Sequence, residues 1–174
     1  MALPKINTVR YDLELPSSGK KIEYRPFLVK EEKILLMALE GKDDKEMSKA
    51  IKQIITQCVS TENFNINKIA MIDLEYLFLN IRGKAVGDIS TISFKHECGE
   101  IIKLDIDLSK VEVVQNKNSS DLVEITDEIM VRLSPPGIDD VIGTENKNQI
   151  DLVMEIIRNS LLEIIQGEDR KSTR

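Results

Sequence analysis

A single histidine, His96, stands two residues before Cys98 in the run Lys95-His96-Glu97-Cys98-Gly99. Imidazole nitrogen and thiolate sulfur are donors that zinc prefers, and a nucleophilic cysteine needs an imidazole within hydrogen-bond reach. Any metal or thiol chemistry in this chain therefore has to start at this pair. A structural zinc takes four N or S ligands, typically in paired spacings. The chain has three such side chains in all, and the third, Cys58, belongs to a helical stripe far away in sequence. Glu97 or Glu100 could supplement a weak surface site. A polar tip without metal is the simpler reading; a small metal-binding interaction module centred on His96 and Cys98 is the alternative.

No other catalytic constellation assembles. A Ser–His–acid or Cys–His arrangement would have to use His96. Neither GxxxxGK[ST] nor GxGxxG occurs, and Gly83 and Gly87 flank Lys84 without a glycine-rich loop between strand and helix. Carboxylates pair at Asp43/Asp44, Asp105/Asp107 and Asp139/Asp140. Without a pocket to separate their pKa values, such pairs are solvated surface or helix-start charge. Catalysis is not expected, and no cofactor is implied.

The composition fits that reading. At 174 residues, 41% hydrophobic and 31% charged, the chain is long enough for one buried core and too apolar for wholesale disorder. A net charge of −6 argues against general phosphate-backbone binding, and aromatics at 4% leave little for a base-stacking platform, so no nucleic-acid partner is expected. No run approaches a membrane span and the first residues lack an apolar signal core, so no membrane partner is expected and cytosol is the default. Two cysteines do not make a disulfide framework.

The elements that must position these residues follow from periodicity. Val9, Tyr11, Leu13 and Leu15 alternate, turn chemistry occupies 16–19, and Ile22 and Tyr24 resume, which predicts a β-hairpin over 8–25. Pro26 breaks the second strand at Arg25. A helix over 30–39 follows, with Glu31 and Glu32 in its first turn, where they favour the positive dipole end. Met47, Ala50, Ile51, Ile54, Ile55 and Cys58 make the clearest amphipathic stripe, so Cys58 reads as a small buried hydrophobe. Asp73 is expected to cap a helix through about residue 85, with Leu74, Leu77, Phe78 and Ile81 facing inward. Ile92 and Phe94, then Ile102, Leu104 and Ile106, predict a second hairpin turning near 97–100, its register set by Lys103, Asp105 and Asp107 on the other face.

Residues 115–121 read as a polar linker. Beyond it come a short third hairpin turning at 126–128, a helix over about 147–166, and a charged tail. In that last helix Ile150, Val153, Met154, Ile157, Leu161, Ile164 and Ile165 form the expected core stripe. Leu152, Ile156 and Leu162 widen it beyond one face, which marks them as candidate partner contacts. Arg25 and Phe27, in the hinge before the 30–39 helix, are further contact candidates, with plain packing as their simpler reading. The fold class is α+β, antiparallel hairpins combined with amphipathic helices and ending in a C-terminal helix. The division expected is 1–114 as the main domain, 115–121 as linker, and 122–174 as hairpin plus helix.

The opening MALPKINTVRYDLELPSSGKKIEYRPFLVKEEKILLMAL, the helix AIKQIITQCV and the later DLEYLFLNIRGKAVGD together resemble the baseplate hub assembly proteins of T4-like contractile-tailed phages. The resemblance covers about residues 1–110, and its specificity lies in the ordered combination of these pieces. It implies a non-enzymatic assembly factor or minor subunit of the tail baseplate hub, acting through protein–protein contacts with other hub proteins. It brings no catalytic residues. Relatives carry a cysteine pair near the second hairpin, where this chain has only His96 and Cys98. The implied location is the host cytoplasm during assembly, with the virion tail baseplate as a further one, and self-association stays open.

Overall fold

A computed structural model describes residues 8–114, 120–141 and 148–166. Positions 115–119 of the expected linker, position 147 at the expected start of the last helix, and the tail from 167 lie outside the described residues. The architecture is α+β. The chain divides into two units: one holds the chain up to Ile66 and from Ile72 to Val113, the other Asn67–Met71 and the chain from Val114 on. A continuous division near residue 114 does not foresee the five-residue segment that joins the second unit.

In the first unit, β1 (Tyr11–Glu14) and β2 (Lys21–Tyr24) pair antiparallel, with Leu13 opposite Ile22. The alternation puts Ile22 and Tyr24 into the core. Helix α1 (Val29–Gly41) follows Pro26, and α2 (Asp44–Cys58) begins where the Asp43 carboxylate accepts the N–H of Lys45. The amphipathic stripe of α2 is buried as its spacing requires: Ala50, Ile54, Ile55 and Cys58 are all inside. Each isoleucine so buried contributes about 1.5–3 kcal/mol relative to exposure. The chain leaves α2 in extended geometry at Val59, which bridges Tyr24 antiparallel, while Ser60 N–H donates to the Glu23 carbonyl. Helix α2 is thereby tied to the edge of β2.

Helix α3 (Met71–Val86) buries Leu74, Leu77 and Ile81. Its expected cap is a correction. Asp73 lies inside the helix, and its carboxylate accepts the backbone N–H of Ser17 at 2.7 Å and the Ser17 hydroxyl. The side chain is buried, and it serves the β1–β2 turn because those donors satisfy it better than its own helix end could. Next, β3 (Ile89–Lys95) and β4 (Ile101–Asp107) form an antiparallel hairpin, with Ile92 opposite Leu104 and Phe94 opposite Ile102.

The second unit holds a three-stranded antiparallel sheet in the order β5 (Leu122–Glu124), β6 (Ile129–Leu133), β7 (Leu161–Gln166). Two helices, α4 (Ile138–Val141) and α5 (Gln149–Ser160), lie between β6 and β7 in the chain. Here the expected C-terminal helix is corrected: it stops at Ser160, and residues 161–166 are a strand. Asn159 and Ser160 are weak helix formers, and an isolated two-stranded hairpin is marginal in water. Pairing with β6 gives Leu161, Ile164 and Ile165 a ladder that a longer helix would forgo. The segment before α3 joins this unit: Ala70 bridges Gly137, and Met71 N–H donates to the Pro136 carbonyl.

Candidate interaction surfaces

The β3–β4 turn carries His96 and Cys98. His96 N–H donates to the Glu100 carbonyl, Gly99 takes a positive φ of 92°, and His96 Nδ1 lies 3.0 Å from Cys98 Sγ. Both side chains are exposed. Cys58 is buried in α2, and burial pushes its thiol up to about 11. Among the described residues no group of three or more His, Cys, Asp or Glu is placed to hold a metal ion. Two of the three zinc-type donors therefore meet, and the third is not brought to them.

Arg25 and Phe27 turn inward. Phe27 is buried, and the Arg25 side chain is only 15% exposed. The guanidinium donates to Glu31 Oε1 at 2.8 Å, to the Gln57 carbonyl at 3.1 Å and to the Pro26 carbonyl at 2.9 Å. Glu31 is fully buried, and its other oxygen accepts the N–H of Leu28, the residue before α1. Burial alone would raise the Glu31 carboxyl. Hydrogen bonds from Arg25, Leu28 and Lys30 outweigh it and hold the group below its ordinary range. This clamp joins the end of β2, the start of α1 and the end of α2. Glu31 is thus more than the first-turn charge that its position in the sequence suggests. The missed signal is its spacing: Glu31, Ile34, Leu35 and Ala38 lie on one face of α1, the face that turns inward.

Apolar side chains left open to solvent gather on three faces. On β3–β4, Ile92, Phe94, Ile102 and Leu104 share one face and are 39–52% exposed. Across the second sheet, Val123, half-buried Val131 and Ile164 sit in one cross-strand row, and Leu162 is exposed where β7 bulges against β6. On α5, Ile150, Val153, Met154 and Ile157 form a stripe at helical spacing that is 47–76% exposed. The last helix thus inverts its expected orientation. Leu152 and Ile156, the candidate contacts, are half-buried, whereas the stripe expected to be core faces solvent. Leu162 is exposed as a contact would be, but on a strand. Beside the α5 stripe, Asp151, Met154, Glu155 and Arg158 line an open concavity. No described helix is long and apolar enough to cross a membrane.

No curated protein and no solved structure compared with the chain matches it. The family described as T4 bacteriophage base plate protein does, over residues 8–173. That span takes in both units and runs well past residue 110, where the resemblance read from sequence ended. With almost the whole length matched, the chain belongs to the T4 bacteriophage base plate protein family.

Proposed function

We propose that this chain is a non-enzymatic assembly factor or minor subunit of the phage tail baseplate hub, working through protein–protein contacts. The observation that carries the reading is the family match over residues 8–173. The open apolar face of β3–β4 supports it and suggests where a hub subunit docks. A two-stranded hairpin gains little stability alone, and four large apolar side chains on one of its faces gain most when a partner covers them. Lys103 and Asp105 on the opposite face keep that side wet. Leu162 and the Val123–Val131–Ile164 row offer a second docking surface. Arg25 and Phe27 shape the first unit from inside rather than meeting the partner.

Co-expression with the hub subunits of a T4-like phage tests this. The wild-type chain is expected to co-purify with at least one of them, and Phe94→Asp with Leu104→Asp to abolish capture while the purified variant keeps its circular dichroism spectrum and melting temperature. Failure of the wild-type chain to bind any baseplate subunit sinks the reading. Capture that survives the hairpin variant moves the contact to the second sheet, where Leu162→Asp is the next variant.

A further inference from the structure

The exposed stripe of α5 is flanked by an acid near one end and a base near the other. Asp151 and Arg158 are seven residues apart, so 3.6 residues per turn put both on the same flank of the Ile150, Val153, Met154 and Ile157 stripe. Both are exposed; the Asp151 carboxylate accepts from the Asn148 side-chain amide at 2.7 Å and keeps lone pairs for a further donor, and Arg158 makes no hydrogen bond or ion pair among the described residues. Leu152, Ile156 and Ser160 occupy the opposite flank and are wholly or partly buried. One side of the apolar stripe is thus taken by packing, and the other carries an acid at the N-terminal end and a base at the C-terminal end.

We infer that two copies of this chain associate through antiparallel α5 helices, about a two-fold axis passing between Val153 and Met154. That axis pairs Ile150 with Ile157 of the second copy and Val153 with Met154 of the second copy. A rotation perpendicular to both helices keeps each charged flank on the same side. At 1.5 Å per residue, Asp151 lies about 4 Å to one side of the axis and Arg158 about 7 Å to the other, so each Asp151 falls within about 3 Å in height of the second copy's Arg158. Two ion pairs result, one at each end of the contact, as an isologous interface requires. A parallel pairing, about an axis along the helices, puts the two charged flanks on opposite sides of the seam, so neither ion pair forms. Four apolar side chains per copy make a patch smaller than the roughly 1,200–2,000 Å² of a standard interface, so the dimer is weak, dissociating on the order of 10 μM. The inference needs no hub subunit and stands apart from the proposed function.

Analytical ultracentrifugation of the purified full chain, from about 1 to about 300 μM, reads this equilibrium. Wild type is expected to pass from monomer to dimer across that range. Asp151→Arg and Arg158→Asp each change both symmetric pairs, and each is expected to weaken the dimer about tenfold. The double variant exchanges the charges and is expected to return within about threefold of wild type. Met154→Glu at the axis is expected to leave only monomer. Met154→Glu and Arg158→Asp should melt close to wild type, whereas Asp151→Arg also loses the Asn148–Asp151 contact at the start of α5 and should melt somewhat lower, alone and in the double variant alike; should Met154→Glu unfold, the charge exchange among folded variants still decides. A chain monomeric at every concentration, a double variant no better than the singles, or a dimer indifferent to a folded Met154→Glu overturns the inference.

Discussion

Glu31 occupies a position on α1 that its neighbours Ile34, Leu35 and Ala38 define as inward, so its charge must be answered on the spot. Arg25 answers it. Removing one partner of such a buried pair costs about 3–5 kcal/mol because the other is left charged and unpaired. Lys30, 3.2 Å from Glu31 but mostly exposed, compensates in part. Arg25→Met is therefore expected to lose about 3 kcal/mol in urea denaturation at pH 7, and Arg25→Met with Glu31→Gln to lose less than Arg25→Met alone. The pH dependence has a definite sign. Because the folded carboxyl is held below its ordinary 4.5, its contribution is present above that value and is lost as pH falls through the folded pKa. The gap between wild type and Arg25→Met should then narrow when the comparison is repeated below pH 4.5. The two thiols make a second prediction at this scale. Cys58 is buried with its thiol pushed up to about 11, and Cys98 is exposed on the hairpin tip. Titration of native protein with a thiol reagent should show one fast equivalent, absent in Cys98→Ser, and a second only on unfolding. A fast second equivalent in folded protein would contradict the burial of Cys58.

Elements were legible where one period ran without competition. The α2 stripe and the β3–β4 alternation repeat cleanly, so spacing alone located both and set the hairpin's register. What periodicity could not say is which apolar faces are covered. Leu77 and Phe94 look equally hydrophobic in sequence, yet Leu77 is fully buried and Phe94 half exposed. Leu77→Ala is accordingly expected to cost about 2–5 kcal/mol, and Phe94→Ser less than about 1 kcal/mol in the isolated chain. Comparable losses by thermal or urea unfolding would mean that the hairpin face is covered within the chain. The residues 161–166 misled for a different reason. Leu161, Ile164 and Ile165 continue the α5 spacing, but a strand partner, β6, was waiting some thirty residues upstream and the ladder won. Asp73 misled in the same way: a local rule made it a cap, while its actual donors on Ser17 lie 56 residues away in the chain. Asp73→Ala should cost about 2 kcal/mol, because it strips a charged acceptor from a buried backbone N–H and a hydroxyl. Asp73→Asn, which keeps one acceptor, should lose less by the same measurement.

At the scale of the whole chain, the least legible feature is that the second unit is not one stretch of sequence. Residues 67–71 show no period of their own, and their place is fixed by a bridge to Gly137, more than sixty residues on. Within that unit, Ile69, Ile138 and Ser160 are the buried side chains among the described residues, a thin core for a three-stranded sheet and two helices. Small units with little buried apolar surface are marginal, so losing one contributor matters out of proportion to its size. Ile69 is one of three, and Met71 N–H supplies a hydrogen bond to the Pro136 carbonyl at 2.9 Å. A fragment beginning at Val114 has the whole sheet and both helices but neither of these. Such a fragment is expected to give poorly dispersed amide resonances, whereas the intact chain with Ile69→Val should remain folded and lose about 1 kcal/mol. Well-dispersed resonances from the fragment alone would show that the sheet and α5 hold together without the segment before α3, and that residues 67–71 only rest against a unit already complete.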